Sequence, residues 1–411
     1  MRASVIVVVH AGAGHLEDSL DSLKSYADNS DVEVVLVDNG SPDRCADLAS
    51  DRWPFVKAVR SDDNRGFTGG VHLGAEHAAG DVLILLNDDA AVVDGFVQAH
   101  LDALDANADA AASAGRLVSW DSERHDFVRG AVTFDCHAFQ PGQGFVLADV
   151  DGPSAGEALP FACGGNMAIH RRDWDASGGF DRDLFAYFED VDLGWRLWAA
   201  GREVVAAPDA VARHRGAATS AGLGDFRRGV LFERNALRTF FSCADDEYRA
   251  AFGEAVFSTF LHRMTSYAAA DPAVAAQLSD PFADTTPPLS RNERWARRLR
   301  EKGPFGTARH ALSRLLLGPK AGAPVLSDGH LRMQLRAAEG FFSGIDETEQ
   351  RRRALASRRT VPDREIVARF PRLIVPTYPG DDEWFASAAF ETMLPEGWAL
   401  ERRRLDEIIK L

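Results

Sequence analysis

The first ninety residues alternate between short, almost uninterrupted apolar runs and segments with helical spacing, and few folds accept that pattern. Ser4–Val9 is a β-branched run, and His15–Tyr26 carries Leu16, Leu20 and Leu23 at i, i+4 and i+7, one face of a helix. Val32–Val37 reads as a second strand, ended by the turn-rich Asp38-Asn39-Gly40-Ser41-Pro42-Asp43. Ser41 is expected to cap the next helix, with Pro42 in its first turn. Val56–Arg60 reads as a third strand, Gly70–Ala79 as a helix and Val82–Leu86 as a fourth strand. Strands that are apolar along their whole length must be covered on both faces, which predicts an α/β fold with a mostly parallel central sheet. Functional groups in such sheets gather at the C-terminal strand ends, where Asp38, Asn64 and Asp88-Asp89 would fall.

With 411 residues, 45% of them hydrophobic, the chain can bury a full core and is expected to hold two domains, 1–223 and 224–411. The second reads as mainly helical: Ala250–Ala270, a basic helix at Arg291–Arg300 after a Pro/Thr-rich break at Pro281–Pro288, charged helices over Gly329–Arg359, and an amphipathic end at Leu400–Leu411. No apolar run approaches about eighteen residues, and Val5–Val9 is too short for a signal peptide. The expectation is a cytoplasmic protein without a transmembrane segment, in which Arg291–Arg300 would allow peripheral membrane contact. Cys45, Cys136, Cys163 and Cys243 lack CxxC spacing, which argues against a zinc site or a disulfide framework. A net charge of −16 argues against nucleic acid as partner. It also repels phosphorylated ligands unless a cation inverts the local field.

Two acidic groups stand out. Asn87-Asp88-Asp89 ends the most apolar strand, where burying carboxylates without a partner is costly. Mg²⁺ and Mn²⁺ bind one or two carboxylates together with substrate phosphates, and adjacent aspartates on extended backbone point to opposite faces. Tyr187-Phe188-Glu189-Asp190-Val191-Asp192-Leu193 crowds three carboxylates into the start of a helix spanning Asp190–Ala200. Val191, Trp195 and Trp198 anchor that helix and leave Asp190 to face a cleft, ionised, as a hydroxyl-deprotonating base must be. Asn64-Arg65-Gly66-Phe67-Thr68-Gly69-Gly70 is a glycine-rich loop before a helix, a cradle for phosphate or sugar in which Arg65 could reach a diphosphate; as readily, it is a close strand-to-helix crossover. It lacks the Gly-Lys-Ser/Thr ending of a P-loop. Asp38 either accepts from a base or ribose or merely caps its turn.

Taken in order, these segments resemble glycosyltransferase family 2, inverting enzymes of the GT-A fold, in its rhamnosyl- or galactofuranosyltransferase-like branch. The resemblance runs from Val5 to Gly216 and includes Cys163-Gly164-Gly165-Asn166-Met167 and Gly178-Gly179-Phe180-Asp181. It implies a GT-A domain over 1–223 followed by a largely helical region. Asp190 would be the general base, and Glu189 would support the acceptor side. Asp89 would bind Mn²⁺ or Mg²⁺, with His214 completing the metal site. His10, Asp38, Asn64, Arg65, Gly66 and Asp88 would surround the donor nucleotide. The donor would be a dTDP-, UDP- or GDP-sugar, and the acceptor a glycan, a lipid-linked sugar or a small molecule. His10-Ala11 and Asn87 depart from the family pattern, and Gly194-Trp195-Arg196-Leu197-Trp198 departs from the processive synthases. Two other readings stand beside this one: a sugar-nucleotide pyrophosphorylase, and a catalytically silent sugar- or protein-binding scaffold.

Overall fold

A computed structural model describes residues 1–216, 224–269, 329–378 and 380–410. The apolar runs become β1 (Ala3–Val9), β2 (Val32–Asn39), β3 (Val56–Ser61) and β4 (Val82–Asn87). The helices between them are α1 (Ala13–Ser22), α2 (Cys45–Arg52) and α3 (Gly66–His77). Beyond β4 come β5 (Ala90–Val92), α4 (Phe96–Asp105), β6 (Ala110–Ser119), β7 (His125–Phe127), β8 (Ala131–Val132) and β9 (Ala138–Phe139). Next are β10 (Asn166–His170), α5 (Arg171–Ser177), α6 (Glu189–Ala199) and β11 (Glu203–His214).

The main sheet has the order β3-β2-β1-β4-β10-β6-β11-β5, with β7 on the edge of β6. It is parallel through its first four strands, as the alternation predicts. Past β4 it turns mixed, because β10 runs antiparallel to both β4 and β6. A single-family pattern of apolar strands does not reveal that reversal, since a buried strand looks alike in either direction. Strand order reverses around β1 and β4, and the register Val9↔Asp38 and Val8↔Asn87 brings the first two turns to one rim. A crevice at such a switch point is where open α/β sheets bind ligands.

Val5, Ile6, Val7 and Val9 of β1 are buried, each removing roughly 1.5–3 kcal/mol worth of side chain from water. α3 lies unusually close to this strand: a β-carbon on Gly70 would overlap Val8. The helix begins at Gly66, four residues earlier than expected, so most of the supposed glycine-rich loop is helix and its glycines serve that close approach. α2 also departs from expectation. It starts at Cys45, behind Arg44 in a left-handed conformation, and Pro42 stays in the turn. Ser41 does not cap it; its hydroxyl donates to Val9 O and accepts from Ala11 N–H.

The C-terminal region builds onto the sheet. It contains α7 (Asp225–Cys243), α8 (Asp246–Ala269), α9 (Gly329–Ser343), α10 (Ile345–Ala356) and α11 (Asp363–Arg369), then β12 (Arg372–Ile374) paired in parallel with β13 (Leu400–Arg402). The expected amphipathic end is thus a short strand and a turn of helix (Leu405–Ile408). Tyr248, Phe252 and Phe341 join the same hydrophobic cluster as the sheet, and Trp195 Nε1 donates to Asp363 Oδ1 at 2.7 Å. Arg263 lies buried between Asp135 (2.8 Å) and Asp381 (3.1 Å), tying the β8–β9 turn to the last segment. The Pro281–Pro288 break and the basic helix at Arg291–Arg300 lie outside the described residues. Among the described residues no helix is long and apolar enough to cross a membrane.

Candidate active site

The end of β4 and the end of β11 meet. Asp89 Oδ1 lies 2.9 Å from His214 Nε2, and Asn87 Nδ2 lies 3.1 Å from the same nitrogen. The other ring nitrogen of His214 is bonded to Asp126 of β7. Burial alone would disfavour a charged ring here, but the hydrogen bonds to Asp126 and Asp89 outweigh it and hold the imidazole pKa up at about 10. Asp126 is the residue that motif reading missed. Its strand is three residues long and carries no motif, and only the fold brings it to His214. Asp88 points the other way and is buried, and a β-carbon on Gly12 would overlap its carboxylate.

At the end of β2, Asn39 organises the loop that the sequence singled out. Its Nδ2 donates to Gly66 O (2.9 Å) and Asn64 Oδ1 (3.2 Å), and its Oδ1 accepts from Arg65 N–H (3.0 Å). Asn64 Oδ1 also accepts from Gly66 N–H, so its side chain is a loop brace. Gly66 has φ +72°, and a β-carbon there would overlap Phe185 O. Arg65 is exposed beside this loop. His10 is half-buried, with Nδ1 3.1 Å from Asn39 O. Asp38 is fully buried. Its Oδ1 accepts from Ser41 N–H (2.7 Å), and its Oδ2 from Ala46 N–H (3.0 Å) and Arg60 Nη1 (2.8 Å). That arrangement is the turn-capping alternative: Asp38 shapes the rim through the turn it holds.

The acidic cluster separates once α6 forms. Nine of its eleven residues are buried, more than the Val191–Trp195–Trp198 stripe implied. Asp192 turns to Arg196, whose Nε lies 2.8 Å away, and to Cys243 Sγ at 3.2 Å; it is a packing ion pair. Asp190 is half-buried. Its Oδ1 accepts from Val191 N–H (2.8 Å) and its Oδ2 from Gly164 N–H (3.3 Å). Burial raises its pKa to about 6 against the pull of those backbone donors. Glu189 is buried with Oε2 lacking a partner, and burial, then the neighbouring Asp190, push its pKa to about 8.

One loop joins the two acidic sites. Gly164 N–H reaches Asp190, while Gly165 O accepts from Asn87 N–H at 3.1 Å. The arrangement therefore offers a carboxylate base on one side of Gly164-Gly165 and an oxygen/nitrogen donor pair, Asp89 and His214, on the other.

Comparison with known proteins identifies the family. The family model described as "Glycosyl transferase family 2" matches residues 4–175. The N-acetylglucosaminyl-diphospho-decaprenol L-rhamnosyltransferase of Mycobacterium tuberculosis is 30% identical over 231 residues, which cover 51% of this chain and 75% of that one. The dolichol-phosphate mannosyltransferase of Pyrococcus furiosus is 26% identical over 140 residues, 32% of this chain and 40% of that one. Among solved structures, a mannosyltransferase from Pyrobaculum calidifontis in complex with GDP-Man and Mn²⁺ matches with a TM-score of 0.40 and 16% identity, covering 87% of this chain and 85% of the other.

Proposed function

Because the chain belongs to glycosyltransferase family 2 and is a nucleotide-sugar-dependent glycosyltransferase, we propose that it moves a single sugar from a dTDP-, UDP- or GDP-sugar to an acceptor hydroxyl with inversion of configuration. The observation that carries this reading is the Gly164-Gly165 loop, which sets Asp190 across from the Asn87–Asp89 strand end. Asp190 removes the proton from the acceptor hydroxyl as that oxygen attacks the anomeric carbon; the bond to the nucleoside diphosphate breaks in the same step. No covalent intermediate is needed.

Mn²⁺ or Mg²⁺ fits the donor side. Asp89 would supply one oxygen and His214 one nitrogen, the cation displacing the Nε2 proton that the ring shares with Asp89. Asp126 behind the ring would fix its orientation, as carboxylates do for metal-bound histidines. Among the described residues no three His, Cys, Asp or Glu side chains close around an ion. A hard cation that takes its remaining ligands from water and substrate phosphates suits such a site. When bound, it would neutralise the departing diphosphate without a proton. Asn39, through Asn64 and Gly66, keeps the neighbouring loop in shape, and Arg65 stands beside it for the diphosphate.

A lipid-linked acceptor is favoured by the mycobacterial relative, whose name specifies N-acetylglucosaminyl-diphospho-decaprenol; glycans and small molecules are the other classes. Single-sugar transfer agrees with the burial of Trp195 and Trp198. Their indoles donate to Asp363 and Leu159 O, which makes this segment a packing element of α6. Proton NMR of the glycosidic product tests the reaction type: the account expects the anomeric configuration opposite to the donor's. A retained configuration, or Asp190→Asn turning over at the wild-type rate, overturns it.

A further inference from the structure

The segment that leads into the base is held in an unfavourable shape. Phe185 (φ 68°, ψ −58°), Tyr187 (φ 68°) and Phe188 (φ 68°, ψ −2°) all have left-handed φ, and none is glycine. Around Phe185, Ala186 N–H donates to Leu184 O at 2.8 Å, closing a three-residue turn of the rare, strained kind. Such backbone persists only where the surroundings over-determine it. Phe188 then caps α6, and Glu189 and Asp190 are its first two residues.

Most of the surroundings come from two adjacent residues of α7, Asn235 and Arg234. Asn235 is fully buried, and its Nδ2 donates to Leu184 O (3.0 Å), Ala186 O (2.9 Å) and Tyr187 O (2.8 Å). Its Oδ1 accepts from Arg234 Nε (2.9 Å), which fixes which way the amide faces. Arg234 Nη2 adds bonds to Asp183 O and Leu184 O, both 2.9 Å. The remaining carbonyl, Phe185 O, accepts from Thr68 N–H at 3.2 Å, in the first turn of α3 and directly over Gly66. The strained turn thus touches the donor loop on one side and the helical region on the other.

We infer that Asn235, supplied by the C-terminal region, is the positioning residue for this reaction: it clamps residues 184–187 so that α6 begins at Glu189 and Asp190 meets Gly164. A general base displaced by about an ångström loses most of its advantage, so a clamp of this kind acts on turnover more than on donor affinity. This inference rests on the reading of Asp190 as the base. It also gives the region after residue 224 a function that its own sequence does not announce.

The experiment uses the full chain with Mn²⁺. Nucleoside diphosphate release is followed from each UDP-, dTDP- and GDP-sugar that the wild type turns over, with water as acceptor. Asn235→Ala and the equal-sized Asn235→Asp are expected to lower kcat by about tenfold or more, with donor KM within about twofold. The acid limb of kcat should move below that of the wild type as Asp190, which lies beside Glu189 and Cys163, becomes more solvated. Phe185→Gly added to Asn235→Ala should restore part of kcat, because glycine takes the left-handed backbone unaided. If the alanine variant does not fold, the aspartate variant and the glycine double variant carry the test. Unchanged kcat and acid limb in the Asn235 variants overturn the inference, as does a loss of turnover that only tracks the unfolded fraction. Asp190→Asn is measured alongside. If it retains turnover, the base reading fails; if it is inactive while the Asn235 variants are normal, only the clamp fails.

Discussion

Glu189 and Asp190 are neighbours at the start of α6 with opposite surroundings: Asp190 accepts from the backbone N–H groups of Val191 and Gly164, while Glu189 Oε2 is buried without a partner. Two carboxyls pushed apart in this way divide the work of one site. Asp190, with the lower pKa of about 6, ionises first, as the proposed base must, and burial holds Glu189 higher, at about 8.

The first consequence is a pH profile. The base acts only when ionised, and burial places Asp190 at about 6, so turnover should fall as pH drops through about 6. Asp190→Asn should lose about 10²–10⁴-fold in kcat with donor binding kept. Initial rates between pH 5 and pH 9, for both proteins, check this.

Glu189 makes a separate prediction about stability. Its folded pKa, about 8, lies above the ordinary 4.5, so the fold favours the protonated form. The stability that protonation contributes is fully present below about 4.5 and is lost as pH rises through about 8. Glu189→Gln cannot ionise, so its melting temperature should gain on the wild type as pH climbs from 5 to 8.5. Parallel melting curves for the two proteins would count against a buried, protonated Glu189.

The donor loop offers a third. Asn39→Ala strips partners from Gly66 O, Asn64 and Arg65 N–H at once, a loss of about 1–3 kcal/mol by the cost of unsatisfied buried polar groups. Chemical denaturation should register that loss, and calorimetry should show weaker nucleotide-sugar binding.

Gly66→Ala is the fourth. It forces alanine into φ +72° against Phe185 O, at about 1–3 kcal/mol for the backbone alone. Because Phe185 belongs to the turn before α6, this donor-side change should also lower kcat.

What the sequence made legible follows from where the information lies. Three of the first four strands are apolar runs covered on both faces, while β3, at the edge with Lys57 and Arg60, is less so, and the strand ends carry Asp38, Asn64 and Asp89 to one rim. Local order signals failed where packing decides. α3 starts at Gly66 because its glycines let it lie on β1, and composition alone made them look like a loop. Asp38 was visible as an acid at a strand end, but only the fold shows both its oxygens engaged by Ser41, Ala46 and Arg60. Asp126 and Asn235 were invisible for another reason. Each acts on a residue 88 or about 50 positions away, and neither sits in a patterned segment.

If Asp89 and His214 hold the cation that seats the donor, donor binding requires both the cation and Asp89. The most direct measurement is thermal unfolding of wild type and Asp89→Ala against UDP-, dTDP- and GDP-sugars, with and without Mn²⁺. A donor at a hundred times its dissociation constant should add about 2.7 kcal/mol. The account predicts that one nucleotide class stabilises the wild type only when Mn²⁺ is present, and that Asp89→Ala loses the shift. Stabilisation by a donor without metal, or undiminished in Asp89→Ala, would contradict it.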